Sequence, residues 1–200
     1  MNRRIGLVLL AGAVLLMGGC QKKRFHFVVP LNKVRTIAVN STGEFAGYEK
    51  ITAREIRAAL NMPADVTITG VDLESVQIRV RHVEGNAATR VKLSGFVVDK
   101  GKPLLLFKDK SVPINNVDNK YIGLNVLIAE GVERLVGKIN DHVKKVNDVD
   151  IEIGLTGDGD PAGMLIKVEI DFKIVATVKY DQCVEVFDFF GGEDCTEIGE

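Results

Sequence analysis

Met164-Leu-Ile-Lys-Val-Glu-Ile-Asp-Phe-Lys-Ile-Val-Ala-Thr-Val-Lys-Tyr180 alternates without a break. Met164, Ile166, Val168, Ile170, Phe172, Ile174, Ala176, Val178 and Tyr180 hold every even position, and Lys167, Glu169, Asp171, Lys173, Thr177 and Lys179 stand between them. A period of two is the period of a strand, so one face is apolar and the other polar. Typical strands run five or six residues. This one would reach about 55 Å at 3.3 Å per residue. It must therefore bend, cross between sheets or pair with several shorter partners. Val149, Ile151, Ile153 and Leu155 alternate in the same way before Thr156-Gly-Asp-Gly-Asp-Pro-Ala-Gly163, and the two runs together read as a hairpin.

Upstream, alternation recurs at Val66/Ile68, at Val76/Ile78/Val80 and at Val91/Leu93. Leu104-Leu-Leu-Phe107 is continuous and reads as a strand buried on both faces. Val34 to Val39 reads as a first strand, followed by the turn residues Asn40-Ser-Thr-Gly43. Thr52 and Glu55 have the spacing of a capping box, which predicts a short helix from Thr52 to about Leu60, ended by Pro63. Leu124, Ile128, Val132, Leu135, Ile139, Val143 and Val146 are spaced by threes and fours, which predicts one amphipathic helix over about 122–146. A helix with one apolar stripe needs a sheet to bury it against. The fold class expected is therefore α+β, a long amphipathic helix packed on a strongly curved, mainly antiparallel β-sheet.

The N-terminus carries a different kind of signal. Arg3 and Arg4 precede an uncharged apolar run from Ile5 to Met17, then Gly18, Gly19 and Cys20. That is the basic, apolar and small-residue layout of an export signal. With cysteine at its end it resembles a bacterial lipoprotein signal peptide, although that family prefers Leu where Met17 stands. The resemblance implies cleavage before Cys20 and acylation of Cys20 with fatty chains such as palmitate. Gln21 follows, where Asp would signal inner-membrane retention, so the resemblance implies a bacterial outer-membrane location, lipid-anchored and periplasm-facing. The other readings are an uncleaved anchor, for which about thirteen apolar residues are short, and an ordinary secretory signal with an incidental cysteine. The expected organisation is a signal peptide at 1–19, a lipidated tether at 20–33 and a single domain at 34–200 ending in a disulfide hairpin.

Export also frames the cysteines. Setting Cys20 aside leaves Cys183 and Cys195, an even pair around Gly191-Gly192 that reads as one disulfide. The chain has 200 residues, 46% of them hydrophobic, enough for a sizeable core. Its net charge of −1 and the absence of a long basic run argue against nucleic acid as a partner. With no tryptophan and only 6% aromatic residues, a base- or sugar-stacking platform is not expected. No nucleophile elbow, phosphate loop or paired-histidine metal motif occurs, so neither an enzyme nor a cofactor is expected. His26, His82 and His142 lack ligand spacing. Asp158 and Asp160 echo the start of a calcium loop without its later ligands, so they read as turn residues and no metal is expected.

The order of elements in about 34–186 resembles the tubular lipid-binding superfamily, which has lipidated bacterial envelope members. That resemblance implies an apolar groove for a lipid or other amphipathic ligand. Its candidate lining residues are Ile128, Val132 and Leu135 on the helix, with Ile166, Val168, Ile170, Phe172 and Ile174 on the strand. The alternative function is a structural or assembly role, contacting another envelope protein. In either case the membrane is a partner through the N-terminal lipid. Replacing Cys20 with Ser is expected to move the protein from the membrane to the soluble fraction, or to trap its precursor. A variant that is processed and stays in membranes like the parent would refute the acylation.

Overall fold

The computed structural model describes residues 20–114, 120–187 and 193–195. Among these residues, nine strands and two helices follow in the order β1 (Cys20–Ser41), β2 (Phe45–Ile51), α1 (Ala53–Leu60), β3 (Thr67–His82), β4 (Arg90–Asp99), β5 (Lys102–Pro113), β6 (Ile122–Gly123), α2 (Ala129–Val143), β7 (Ile151–Asp160), β8 (Ile166–Phe187) and β9 (Glu193–Asp194). The strands form a five-stranded sheet, β6-β3-β8-β1-β9, and a four-stranded sheet, β2-β7-β4-β5. The described residues are thus mostly β, with two short helices among them, and the expected α+β fold built on a long helix is overturned.

Two compact units share these elements. The smaller one takes its described residues from 20–27, 63–69, 179–187 and 193–195; the larger comprises Val28–Met62 and Gly70–Val178, with 115–119 outside the described residues. The segment 20–33, expected as a tether, is strand throughout, because β1 runs from Cys20 to Ser41.

β8 keeps the alternation read from its sequence. Ile166, Val168, Ile170, Phe172, Ile174, Ala176 and Val178 are all at most 1% exposed. Its length is matched by long neighbours, since β3 has 16 residues and β1 has 22. In the larger unit the two sheets meet face to face. Phe107 of β5 stacks on Phe172 of β8 with ring centroids 6.3 Å apart. Gly159 of β7 lies where a Cβ would collide with Ile166. Val76, Ile78, Val91, Leu93, Ile151, Ile153 and Leu155 are buried with them. The expected hairpin of β7 and β8 does not form, because the two strands belong to different sheets. The turn between them takes the chain from one layer to the other.

The capping box is present as read. The Glu55 N–H donates to Thr52 Oγ1 at 3.2 Å, and the Thr52 N–H donates to Glu55 Oε2 at 2.8 Å. The second helix is shorter than its stripe, 15 residues rather than the whole of 122–146. Ahead of it, Ile122 and Gly123 pair with Ile78 and Gln77 as β6, and the Ile128 N–H donates to Leu106 O at 2.8 Å. Tertiary pairing has thus taken the first two stripe positions out of the helix. At the other end Lys145 adopts φ +59, and Val146 is 72% exposed. Leu135, Ile139 and Val143 are buried where α2 packs on α1 and on β4, β5 and β7. Gly131 brings the helix backbone so close to the Leu105 carbonyl that a Cβ there would clash.

Two substitutions separate the docked part of the stripe from the rest. Leu135→Ala is expected to cost about 2–5 kcal/mol, as for a fully buried leucine. Val146→Ala is expected to stay within about 0.5 kcal/mol. Equal shifts in urea midpoint for the two variants would contradict this docking.

Candidate functional site

A recess of about 640 Å³ in the larger unit lies across the four-stranded sheet. Its lining comes from strand register. Ala46 of β2 and Ser94 of β4 both stand opposite Thr156 of β7, and Lys92 stands opposite Asp158. Side chains in register share a face, so four strands contribute to one polar surface, with Glu44, Phe45 and Gly157 completing it. β5 adds Asp109 through a bulge. Leu93 pairs with Lys110 and Gly95 with Phe107, which leaves Lys108 and Asp109 together opposite Ser94. Asp109 has φ +54, and its N–H donates to Ser94 Oγ at 3.0 Å. A bulge of this kind re-aims a side chain. Here it brings the Asp109 carboxylate within 3.5 Å of Lys92 Nζ.

The recess therefore presents carboxylates from Glu44, Asp109 and Asp158, one ammonium and the hydroxyls of Ser94 and Thr156. Such a surface recognises by hydrogen bonds and charge. Among the described residues, no group of three or more His, Cys, Asp or Glu side chains is placed to hold a metal ion. Asp158 is part of this surface, and both Asp158 and Asp160 lie within β7 rather than in a loop.

A smaller cleft of about 260 Å³ shares Asp109 as a wall. Phe107, Lys108 and Lys110 of β5 form one side, and Leu124, Asn125, Val126 and Ile128 the other. Ile128 is the single candidate groove residue on this cleft. Val132 is half-buried on α2. Leu135, Ile166, Val168, Ile170, Phe172 and Ile174 are at most 1% exposed. A side chain with so little accessible surface lines no opening, so the structure places these six in packed core.

The opposite face of β8 carries a charge cluster that the sequence did not single out. Asp171 is 1% exposed. Arg79 donates to its Oδ2 through Nε at 2.8 Å and Nη2 at 2.5 Å. Arg81 Nη2 and Thr36 Oγ1 donate to its Oδ1 at 3.0 and 2.7 Å. Arg81 also meets Glu169 at 2.7 Å. The Tyr121 ring lies 4.5 Å from the Arg79 guanidinium and 5.0 Å from Lys173 Nζ. One carboxylate thereby ties β1, β3 and β8 together on the face away from the apolar core. This is a structural arrangement, since its oxygens are taken up by protein donors.

In the smaller unit, Cys183 and Cys195 are joined by a disulfide with Cα atoms 6.2 Å apart. The Gly191-Gly192 turn expected between them lies outside the described residues. His26 Nδ1 is 2.6 Å from Asp181 Oδ1. The other two histidines stand apart from it in sequence position: His82 ends β3, while His142 is buried on α2 with Nδ1 2.8 Å from Asn147 O.

No protein-family profile matches the chain, and no curated protein does. Two solved structures of a BFDV capsid protein are similar in a weak sense. The 60-mer form is 7% identical with a TM-score of 0.30, covering 86% of this chain and 100% of that one. The decameric form is 10% identical with a TM-score of 0.29, covering 80% and 98%. Likeness at that level carries no argument about fold or function.

Two carboxylates make stability depend on acidity. Burial pushes the Asp171 carboxyl up, but the donors Thr36, Arg79 and Arg81 outweigh it and hold the group below its ordinary value. Glu55 is lowered from 4.5 to about 2, chiefly by the Thr52 backbone N–H and then by Arg35, which sits 2.6 Å away. A depressed folded value means that stability is fully present above the unfolded value and is lost as pH falls through the folded one. The urea midpoint is therefore expected to be level above about pH 5 and to fall progressively between there and pH 2. Asp171→Ala at pH 7 is expected to cost roughly 3–5 kcal/mol, because two arginines lose a buried partner. A midpoint unchanged in that variant would remove Asp171 from this role.

Proposed function

We propose that this protein is a lipid-anchored cell-envelope module, non-enzymatic, that contacts another envelope component through the polar recess on its four-stranded sheet. The observation that carries the reading is the contrast between interior and surface. Six of the eight positions that would line a lipid groove, Leu135 and the five on β8, are closed core, whereas four strands and a bulge assemble a recess of about 640 Å³ outside it. A module with its apolar interior filled acts through its surface. The anchor is supported by the basic, apolar, Gly-Gly-Cys20 layout of the N-terminus. Among the described residues no helix is long and apolar enough to cross a membrane, so a membrane attachment made by those residues would not be a helical span.

The recess favours a partner rich in hydrogen-bonding groups of both signs. Its carboxylates and its Lys92 ammonium are exposed enough to be desolvated at modest cost. The smaller cleft beside it offers Ile128 and Val126 to one apolar side chain of the same partner, a size too small for an acyl chain pair.

Photo-crosslinking in cells tests this. A crosslinker at Ser94 or Thr156 is expected to give a discrete adduct that the same crosslinker at exposed Glu74 does not give. Charge reversal at Lys92 is expected to lower the yield. Equal labelling from all three sites would count against the recess. Native mass spectrometry separates the groove reading: a lipid retained at one per chain, besides the covalent acyl groups, would restore it.

A further inference from the structure

The order β8-β1-β9 puts β1 between two strands that a disulfide joins. Cys183 belongs to β8, on one flank of β1, and Cys195 follows β9 directly, on the other. Alternate strands of a flat sheet lie roughly 9.5 Å apart. The two Cα atoms are 6.2 Å apart, so the chain leaving β9 leans back across β1 to reach Cys183. The Cys195 N–H donates to Lys22 O at 3.2 Å. Lys23 pairs with Asp194 in the ladder, and their side chains meet at 2.5 Å. Arg24 pairs with Glu193. The span closed by the bond thus has its two ends on either side of residues 22–24.

We propose that this disulfide is a strap over the first strand of the mature chain, and that opening it turns the start of β1 into a flexible tether. A ladder of two residue pairs is too short to persist alone, so β9 stays on β1 because the bond limits where it can go. Without β9, residues 20–24 become the frayed end of an edge strand. Their hold on the smaller unit then rests on β8 alone, through contacts further along at His26–Asp181 and Phe27–Tyr180. The tether is significant because Cys20 carries the anchor, and in that respect the inference rests on the proposed acylation. Strapped, the domain is mounted directly at the membrane. Unstrapped, it gains roughly 16 Å of free reach from five residues at 3.3 Å each.

The switching reaction is thiol–disulfide exchange with a dithiol reductant. One thiolate of the dithiol attacks a sulfur of the bond and releases the other as a thiolate, which takes a proton. The second thiol of the reductant then resolves the mixed disulfide. Two electrons and two protons pass from the dithiol, which closes to its own disulfide, and Cys183 and Cys195 end as thiols.

The acylated protein on phospholipid vesicles tests the strap, with trypsin as the probe and dithiothreitol as the reductant. Lys22, Lys23 and Arg24 are cleavage sites between the anchor and the rest of the chain. Release of the domain from vesicles is expected to be about tenfold faster after reduction, following the larger open population of the frayed end. Hydrogen exchange over residues 21–27 is expected to speed up likewise, while segments in β4 and β7 keep their rates. The double variant Cys183→Ser/Cys195→Ser is expected to behave as the reduced protein does. Equal release with and without reductant would overturn the strap. So would a simultaneous loss of protection in β4 and β7, because the bond would then be a staple for the whole fold. The soluble Cys20→Ser form is expected to show the same local exchange change. Failure of acylation would appear in the membrane fractionation of that variant and would leave its exchange result standing.

Discussion

β8 is asked to satisfy two incompatible environments, and alternation lets it do so. Its even side chains enter a dry interface between sheets, with no accessible surface to speak of from Ile166 to Val178. Its odd side chains point the other way, and Asp171 among them is nearly as buried. A carboxylate in such a position is tolerable only when donors saturate it. Arg79, Arg81 and Thr36 do so from the two strands that flank β8. A slip of one residue would put Asp171 against Phe107 and the apolar set outside. The charge cluster and the apolar face thus specify the same register from opposite sides.

This pairing explains what the sequence could reveal and where it misled. Local rules were legible. The Thr52–Glu55 box is made by groups three residues apart, and the alternation of β8 is a property of one segment. The Cys183–Cys195 bond followed from counting cysteines in a chain whose N-terminus reads as an export signal. Long-range choices were not legible. The seven-residue stripe from Leu124 to Val146 satisfies helical spacing, yet Ile122 and Gly123 pair with β3, and the Ile128 N–H is taken by Leu106. Helical spacing is weak against a sheet edge that needs partners. The same reason hid β2, where Phe45 to Ile51 has small and charged residues and depends on pairing with β7.

The recess was the least legible part. Its polar residues are unexceptional one by one: a lysine, a serine, a threonine and three acids. They form a surface because register sets Ser94 and Lys92 opposite Thr156 and Asp158, and because a bulge puts two residues of β5 opposite Ser94. Neither fact can be read from a window of neighbours. Asp158 alone stood out in the sequence, and for calcium-loop spacing rather than for a place on a sheet face.

The packing of the interior bears on the groove reading. An apolar groove requires the helix stripe and the strand face to stand apart, with a ligand between them. Here the face of β8 is met by the other sheet, as Phe107 on Phe172 shows, while Leu135 and Ile139 on α2 are buried on a packing surface formed with α1 and the four-stranded sheet. Each apolar surface has found a protein partner, and opening either one would expose core side chains at a cost of about 25 cal/mol per Å². Polar and charged groups on the exposed sheet face carry no such cost in the free protein. Recognition at that face, as proposed, would therefore be reversible without disturbing the fold.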